Sequence, residues 1–435
     1  MPSLAELHRT VRSLPRETRL GRVLEVRPDL LIATPPGPDA RVGAICRVGA
    51  DLRAQIVRAD PDRIDLIPFD APAAILPGAE VRQDGLAVPR DTEALLGRVV
   101  DAFLRPVDGS APIPPGAASR PSRPTVLARR GLGPRLDTGE PALDVMLPLV
   151  RGQRIGIFAG SGVGKTSLLA ALAGGVDCDA IVCAMVGERG REVRDFLESA
   201  LDATARARCI CIVATADASA MERCQAAETA VGVVETLRAQ GLHVLLLLDS
   251  LTRWADAHRQ VEAMRVGQTL GHGYPARTVQ EMGRLIERLG PGAEGEGDIT
   301  AVLSVLVAGS DMDEPLADMA RGMLDGHVVL SRQIAERGRF PAIDIARSVS
   351  RALPHAASPK ENSLIRTARD ILSTAERLLP LRDAGLSRGG EDPAADLCLA
   401  RAAALDALWA SRDHATAVAA FDALRSILTA DAGEG

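Results

Sequence analysis

The chain has 435 residues, 46% of them hydrophobic and 25% charged, enough apolar material for two or three globular domains. A net charge of −6 at pH 7 excludes a chain that is basic overall and built to grip polyanions, and 2% aromatic content leaves few rings for stacking single-stranded bases. Seven cysteines without a CxxC pair, no apolar run of membrane-spanning length and no secretory apolar core predict a cytoplasmic protein with reduced thiols.

Residues 2–14 (PSLAELHRTVRSL) put Leu4, Leu7, Val11 and Leu14 on one helical face, with Ser3 and Glu6 at capping-box spacing. Pro15 ends that pattern, and the amphipathic helix over 1–18 either packs on its own domain or docks a partner protein. Short alternating runs follow at 22–26, 30–33, 43–48, 54–57, 64–67 and 79–81, separated by Pro, Gly and Asp. They predict a small β-barrel over 19–90, and Phe69, its one aromatic, argues against an oligonucleotide-reading surface. Residues 95–109 read as a strand and turn, and 111–124 as an exposed loop rich in Pro, Ser and Gly. Near-continuous apolar strands at 154–158, 180–186, 208–214, 242–248, 299–307 and 327–330 then alternate with helical patterns. This predicts an α/β core over 91–357 with a mainly parallel sheet covered on both faces. Ligands of such sheets bind at the carboxyl ends of strands. Three helical patterns broken at Gly389 and Gly390 predict a helical C-terminal domain over 358–435.

The stretch over 154–169, RIGIFAGSGVGKTSLL, has the strand–loop–helix order of a phosphate-binding P-loop. Gly160, Ser161, Gly162, Val163 and Gly164 let backbone N–H groups curl around phosphates, and a helix start at Lys165 adds its positive end. Lys165 can reach terminal phosphates, the Thr166 hydroxyl can hold Mg²⁺, and Ser167 follows in the same turn. Ala159 stands where the strict pattern begins with Gly. The chain has two lysines, Lys165 and Lys360, and otherwise uses arginine. A compact ammonium therefore sits where a guanidinium would fit poorly against backbone.

Asp249 closes the run VLLLLD, where an acid either holds Mg²⁺ or caps the next helix. In VGERGREV, Glu188 can polarise a water opposite a γ-phosphate and Arg189 can support the phosphates or orient Glu188; a solvated charge cluster is the alternative. Phe340 either stacks on adenine or belongs to the core, and Arg351 is too far along the chain for spacing to place.

Taken together, GIFAGSGVGKT, VGERGREV, LLLLDSLTRWA, DMDEPLADMARGMLDGHVVLSR and FPAIDIARSVSR resemble the rotary and protein-secretion ATPases over nearly the whole chain. Within that family the likeness is to the flagellar export ATPases and their type III secretion relatives. It implies a small β-barrel, a RecA-like P-loop core and C-terminal helices. It also implies a cytoplasmic homohexamer, peripheral at the inner face of the cytoplasmic membrane, that hydrolyses ATP with Mg²⁺ to energise flagellar protein export. By the same resemblance Glu188 activates water, Arg189 assists, Asp249 holds the metal shell and Arg351 is an arginine finger for the neighbouring subunit. Implied partners are a regulator or stator protein at the N-terminal helix, an export gate, chaperones and unfolded export substrates, with no nucleic acid. Virulence secretion is the sibling alternative. A nucleic-acid translocase ring is disfavoured by the acidic balance, and a non-catalytic subunit by Glu188. Two departures from the family stand out: Phe340 replaces its usual Tyr, and 266–275 reads VGQTLGHGYP, with Gln268 in place of Glu.

Overall fold

A computed structural model of the chain describes residues 20–38, 40–72, 74–84, 88–89, 92–114, 124–266, 273–307, 311–386 and 389–430. The predicted helix over 1–18 and Gln268 lie outside the described residues. The chain divides into two compact units, one built on a barrel and the other on a large sheet with the C-terminal helices.

In the first unit, β1 (Gly21–Val26), β2 (Leu31–Ala33), β3 (Ile45–Val48), β4 (Leu52–Ala59), β5 (Ile64–Pro68) and β6 (Glu80–Gln83) close in the order β1-β2-β5-β4-β3-β6. Every pair is antiparallel. Val23, Leu31, Ile56, Ile64, Leu66 and Val81 fill the inside, and closure leaves no free strand edge.

The second unit holds β7 (Val99–Asp101), β8 (Arg154–Ala159), β9 (Ala180–Val186), β10 (Cys209–Ala214), β11 (His243–Asp249), β12 (Gly290–Pro291), β13 (Asp298–Leu306), β14 (Gly326–Leu330) and β15 (Ile343–Ser350). Their order is β15-β14-β8-β13-β11-β9-β10-β7, with β12 hung on β13. The strands from β14 to β7 are parallel, whereas β15 runs antiparallel to β14. β9 and β11 are buried along their whole length, as runs of Ala, Ile, Val and Leu demand when helices cover both faces. Cys209 and Cys211 are buried on β10, and all seven cysteines are free thiols.

β15 extends the core beyond the run at 327–330, the last strand predicted there. Its sequence, IDIARSVS, mixes buried and exposed positions because it is an edge strand, and a register shift against β14 breaks its alternation. The C-terminal helices begin at capped ends. A Ser358–Glu361 capping box opens α9 (Pro359–Asp383), Asp392 opens α10 (Pro393–Ala410) and Thr416 opens α11 (Ala417–Thr429). α1 to α8 are α1 (Lys165–Gly175), α2 (Gly190–Asp195), α3 (Ala203–Ala207), α4 (Ala220–Ala239), α5 (Leu251–Val266), α6 (Ala276–Glu287), α7 (Pro315–Met323) and α8 (Arg332–Glu336). Ile365, Leu405, Trp409 and Phe421 of the C-terminal helices share one apolar core with Ile157 of β8 and Leu168 of α1.

Candidate functional site

Four adjacent parallel strands, β8, β13, β11 and β9, end on one edge, and each delivers polar chemistry there. β8 runs into the glycine loop, where Gly162 and Gly164 have φ of 78° and 88°, a left-handed conformation that side-chain-bearing residues rarely adopt. α1 starts at Lys165, anchored by buried Leu168, Leu169 and Leu172, so its N-terminal N–H groups point into the loop. Ser161, Gly162 and Ser167 are exposed around that opening, and Thr166 is half-buried.

Lys165 Nζ contacts Asp249 Oδ1 at the end of β11 and lies 3.6 Å from Glu188 Oε1, two residues past β9. Ser304 Oγ on β13 donates to Asp249 Oδ1 at 2.6 Å. Asp249 is 3% exposed. It does not cap α5; the Ser250 hydroxyl does, accepting from Arg253 N at 3.2 Å. Glu188 Oε1 is buried and has no hydrogen-bond partner among the described residues. Burial first, and then the nearby Asp249 charge, push the Glu188 carboxyl up to about 7, while Lys165 pulls it down. The edge thus gathers one cation, a carboxylate that carries only donors, and a carboxyl poised near neutrality, around a loop of exposed N–H groups. Such a set can seat a phosphate chain, hold a hard cation and take a proton from water.

The remaining predicted residues divide. Phe340 is 45% exposed and not a core residue; its ring lies against the loop, so that a Cβ on Gly164 would stand 3.3 Å from ring Cδ1. Arg189 leaves the cluster: its side chain is 78% exposed and pairs with Glu192 at 3.9 Å. Arg351 is exposed too, with Nη2 on the Arg321 carbonyl at 3.4 Å. β15 carries it away from the loop. Leu330, which pairs with Ala159 beside the loop, faces Ile343, whereas Ser350 faces Gly326 at the opposite end of β14. Arg351 therefore sits about 15 Å, one strand length, from the P-loop edge of its own chain.

Sequence reasoning missed Ser304, although a serine inside the apolar run DITAVLSVL needs a partner and was a usable signal. It also missed Arg332, whose Nη2 donates to the Ser161 carbonyl at 3.4 Å; nothing in the local pattern marks it.

Residues 139–350 match the ATP synthase alpha/beta family, nucleotide-binding domain. The chain is 41% identical to the flagellum-specific ATP synthase of Caulobacter vibrioides, over 84% of this chain and 85% of the relative. It is 40% identical to the type 3 secretion system ATPase of Pseudomonas syringae pv. tomato, over 86% of each. Its fold is similar to the assembled ATPase EscN of the enteropathogenic E. coli type III secretion system (TM-score 0.84, 33% identity, 94% of this chain and 100% of that one). EscN has also been solved in complex with its central stalk EscO, with a TM-score of 0.82, 32% identity and the same coverage.

Proposed function

The chain belongs to the ATP synthase alpha/beta family, among its flagellar and type III secretion ATPases, and from that premise we propose that it hydrolyses ATP to energise flagellar protein export. The observation that carries the reading is the convergence of Lys165, Glu188 and Asp249 beside the glycine loop, at the ends of neighbouring parallel strands. Gly160 to Ser167 and Lys165 bind the phosphates, and Phe340 stacks on the base. Glu188 takes the proton of the attacking water, for which its raised pKa and free Oε1 suit it. Thr166 and Asp249 offer hydroxyl and carboxylate oxygens, the hard donors that Mg²⁺ prefers, and Lys165 and Ser304 hold the Asp249 carboxylate in place. Mg²⁺ bound there neutralises phosphate charge. Arg189 has no contact with this cluster, and its role is to reach the site only when phosphates draw it in.

Arg351 completes the site of a neighbouring subunit in a homohexamer, a reading that the assembled form of EscN supports. A trans finger of this kind is worth about 10³–10⁵ in rate, roughly 4–7 kcal/mol. The central stalk bound by EscN supports a protein partner for this chain, which we place as a stator or regulator at residues 1–18; the export gate, chaperones and unfolded substrates complete the set. Among the described residues no helix is long and apolar enough to cross a membrane. The proposed place is peripheral, at the inner face of the cytoplasmic membrane, beside these partners. The Pseudomonas relative favours one second reading, the same hydrolysis serving virulence secretion. The test is complementation of a strain lacking the gene, together with Mg²⁺-dependent phosphate release by the purified chain. Restored filament assembly by wild type but not by Glu188→Gln supports the reading. Restored effector secretion without filaments selects the sibling, and no magnesium-dependent hydrolysis refutes both.

A further inference from the structure

Phe340 reaches the glycine loop from a turn whose leading side, Arg337 and Gly338, is exposed like its own ring at 45%, whereas Pro341, Ala342 and Ile343 after it are buried. The residue that ties the leading side to that buried side is Arg339. Its side chain is 9% exposed, and its guanidinium makes contacts in three directions. Nη2 donates to the Ile343 carbonyl at 2.7 Å and Nη1 to the Pro341 carbonyl at 3.4 Å, closing the turn around Phe340. Nε pairs with Asp406 Oδ1 at 2.8 Å. Asp406 lies on α10, between Leu405 and Leu408, both buried in the common core. A planar fork can serve two carbonyls and a carboxylate at once; an ammonium cannot keep that geometry.

We infer that Arg339 is a positioning residue for the nucleobase: it fixes the Phe340 ring beside Gly164, and Asp406 ties that hold to the C-terminal helix α10. The inference rests on the ATP-site reading above and adds a route by which a shift of α10 changes the grip on the base without touching the phosphate cluster. The Arg339 side chain contacts Pro341, Ile343 and Asp406, away from Lys165, Glu188 and Asp249, so its effect is on the base alone.

The experiment compares binding of Mg-ADP with binding of Mg-pyrophosphate, which has no base, by titration calorimetry of the full chain. Arg339→Ala, Arg339→Lys, Asp406→Asn and the double variant Arg339→Ala/Asp406→Asn are measured beside wild type. Arg339→Ala is expected to weaken Mg-ADP by about three- to tenfold, the worth of one aromatic contact, and to leave Mg-pyrophosphate unchanged. Arg339→Lys should recover less than half of the loss. Asp406 is exposed, so Asp406→Asn folds normally; it should weaken Mg-ADP by about twofold alone and add nothing in the Arg339→Ala background. Equal losses for both ligands, an unchanged Mg-ADP affinity in Arg339→Ala, or an additive Asp406→Asn effect would each overturn the inference. A wild type that binds Mg-ADP but hydrolyses no ATP would sink the ATPase reading and leave this comparison standing.

Discussion

Glu188→Gln keeps the shape of a side chain and removes its charge, so it separates basicity from packing. In the nucleotide-free, magnesium-free protein, burial and then Asp249 push the Glu188 carboxyl from 4.5 up to about 7, against the pull of Lys165. A carboxyl whose native pKa lies above its unfolded value holds its proton more tightly in the folded state. Unfolding free energy therefore falls as pH rises from about 4.5 to about 7 and stays reduced above it. A shift of that size corresponds to about 3 kcal/mol, and a side chain only 12% exposed loses little of it to solvent screening. The attraction of Lys165 at 3.6 Å is already contained in that shift, so the expected net gain of the neutral glutamine is about 3 kcal/mol. Urea unfolding near about pH 8.5 should show Glu188→Gln more stable than wild type, and the gap should close as pH falls to about 5. The same variant should lose about 10²–10⁴ of its ATP hydrolysis. A variant that is less stable at the higher pH, a gap independent of pH, or retained hydrolysis would refute the reasoning.

Arg351→Ala should leave stability within about 0.5 kcal/mol, because the side chain is exposed and holds one long contact to the Arg321 carbonyl. It should leave nucleotide affinity intact while lowering hydrolysis about 10³-fold, and wild-type specific activity should climb with protein concentration where the variant's does not. Ser304→Ala removes the buried 2.6 Å bond to Asp249 and should cost about 1–3 kcal/mol by denaturant midpoint. Gly164→Ala places a Cβ at a φ of 88° and 3.3 Å from the Phe340 ring; it should cost about 1–2 kcal/mol and weaken ADP binding by calorimetry.

What the residues revealed follows from where their information lies. The P-loop was legible because its chemistry is local: the glycines, Lys165 and Thr166 act within one turn of each other. Glu188 and Asp249 were legible through position, since each follows an apolar strand end, and parallel strands bring such ends to one edge. Asp249 could not be told from a helix cap by sequence, because Ser250 beside it has the same capping chemistry and took that role. Phe340 was ambiguous for a different reason. Its exposure depends on a turn held by Arg339 and on a partner, Asp406, in a helix far along the chain. β15 escaped because an edge strand alternates buried and exposed positions, and a register shift blurs even that. The direction of β15, which decides where Arg351 goes, is tertiary information with no local trace.

That direction bears on why hydrolysis would depend on assembly. Phe340 precedes β15 at the loop edge, and Arg351 follows it at the far edge. One antiparallel strand therefore puts Phe340 and Arg351, the proposed base contact and the proposed finger, at opposite ends of the same element, about 15 Å apart. No rotamer of Arg351 closes that gap within its own chain, because an arginine side chain extends only about half as far. The single chain brings Lys165, Asp249 and Glu188 together, and under the proposed reading Arg351 of a neighbour would add charge for the transferred phosphoryl group. An exposed arginine on a strand end usually counts for nothing. Here its exposure suits the proposed action on a neighbour, since a guanidinium buried in its own subunit has no free donors to offer. Under the proposed reading a lone chain would bind nucleotide and hydrolyse it slowly, and a neighbouring subunit would supply the added charge.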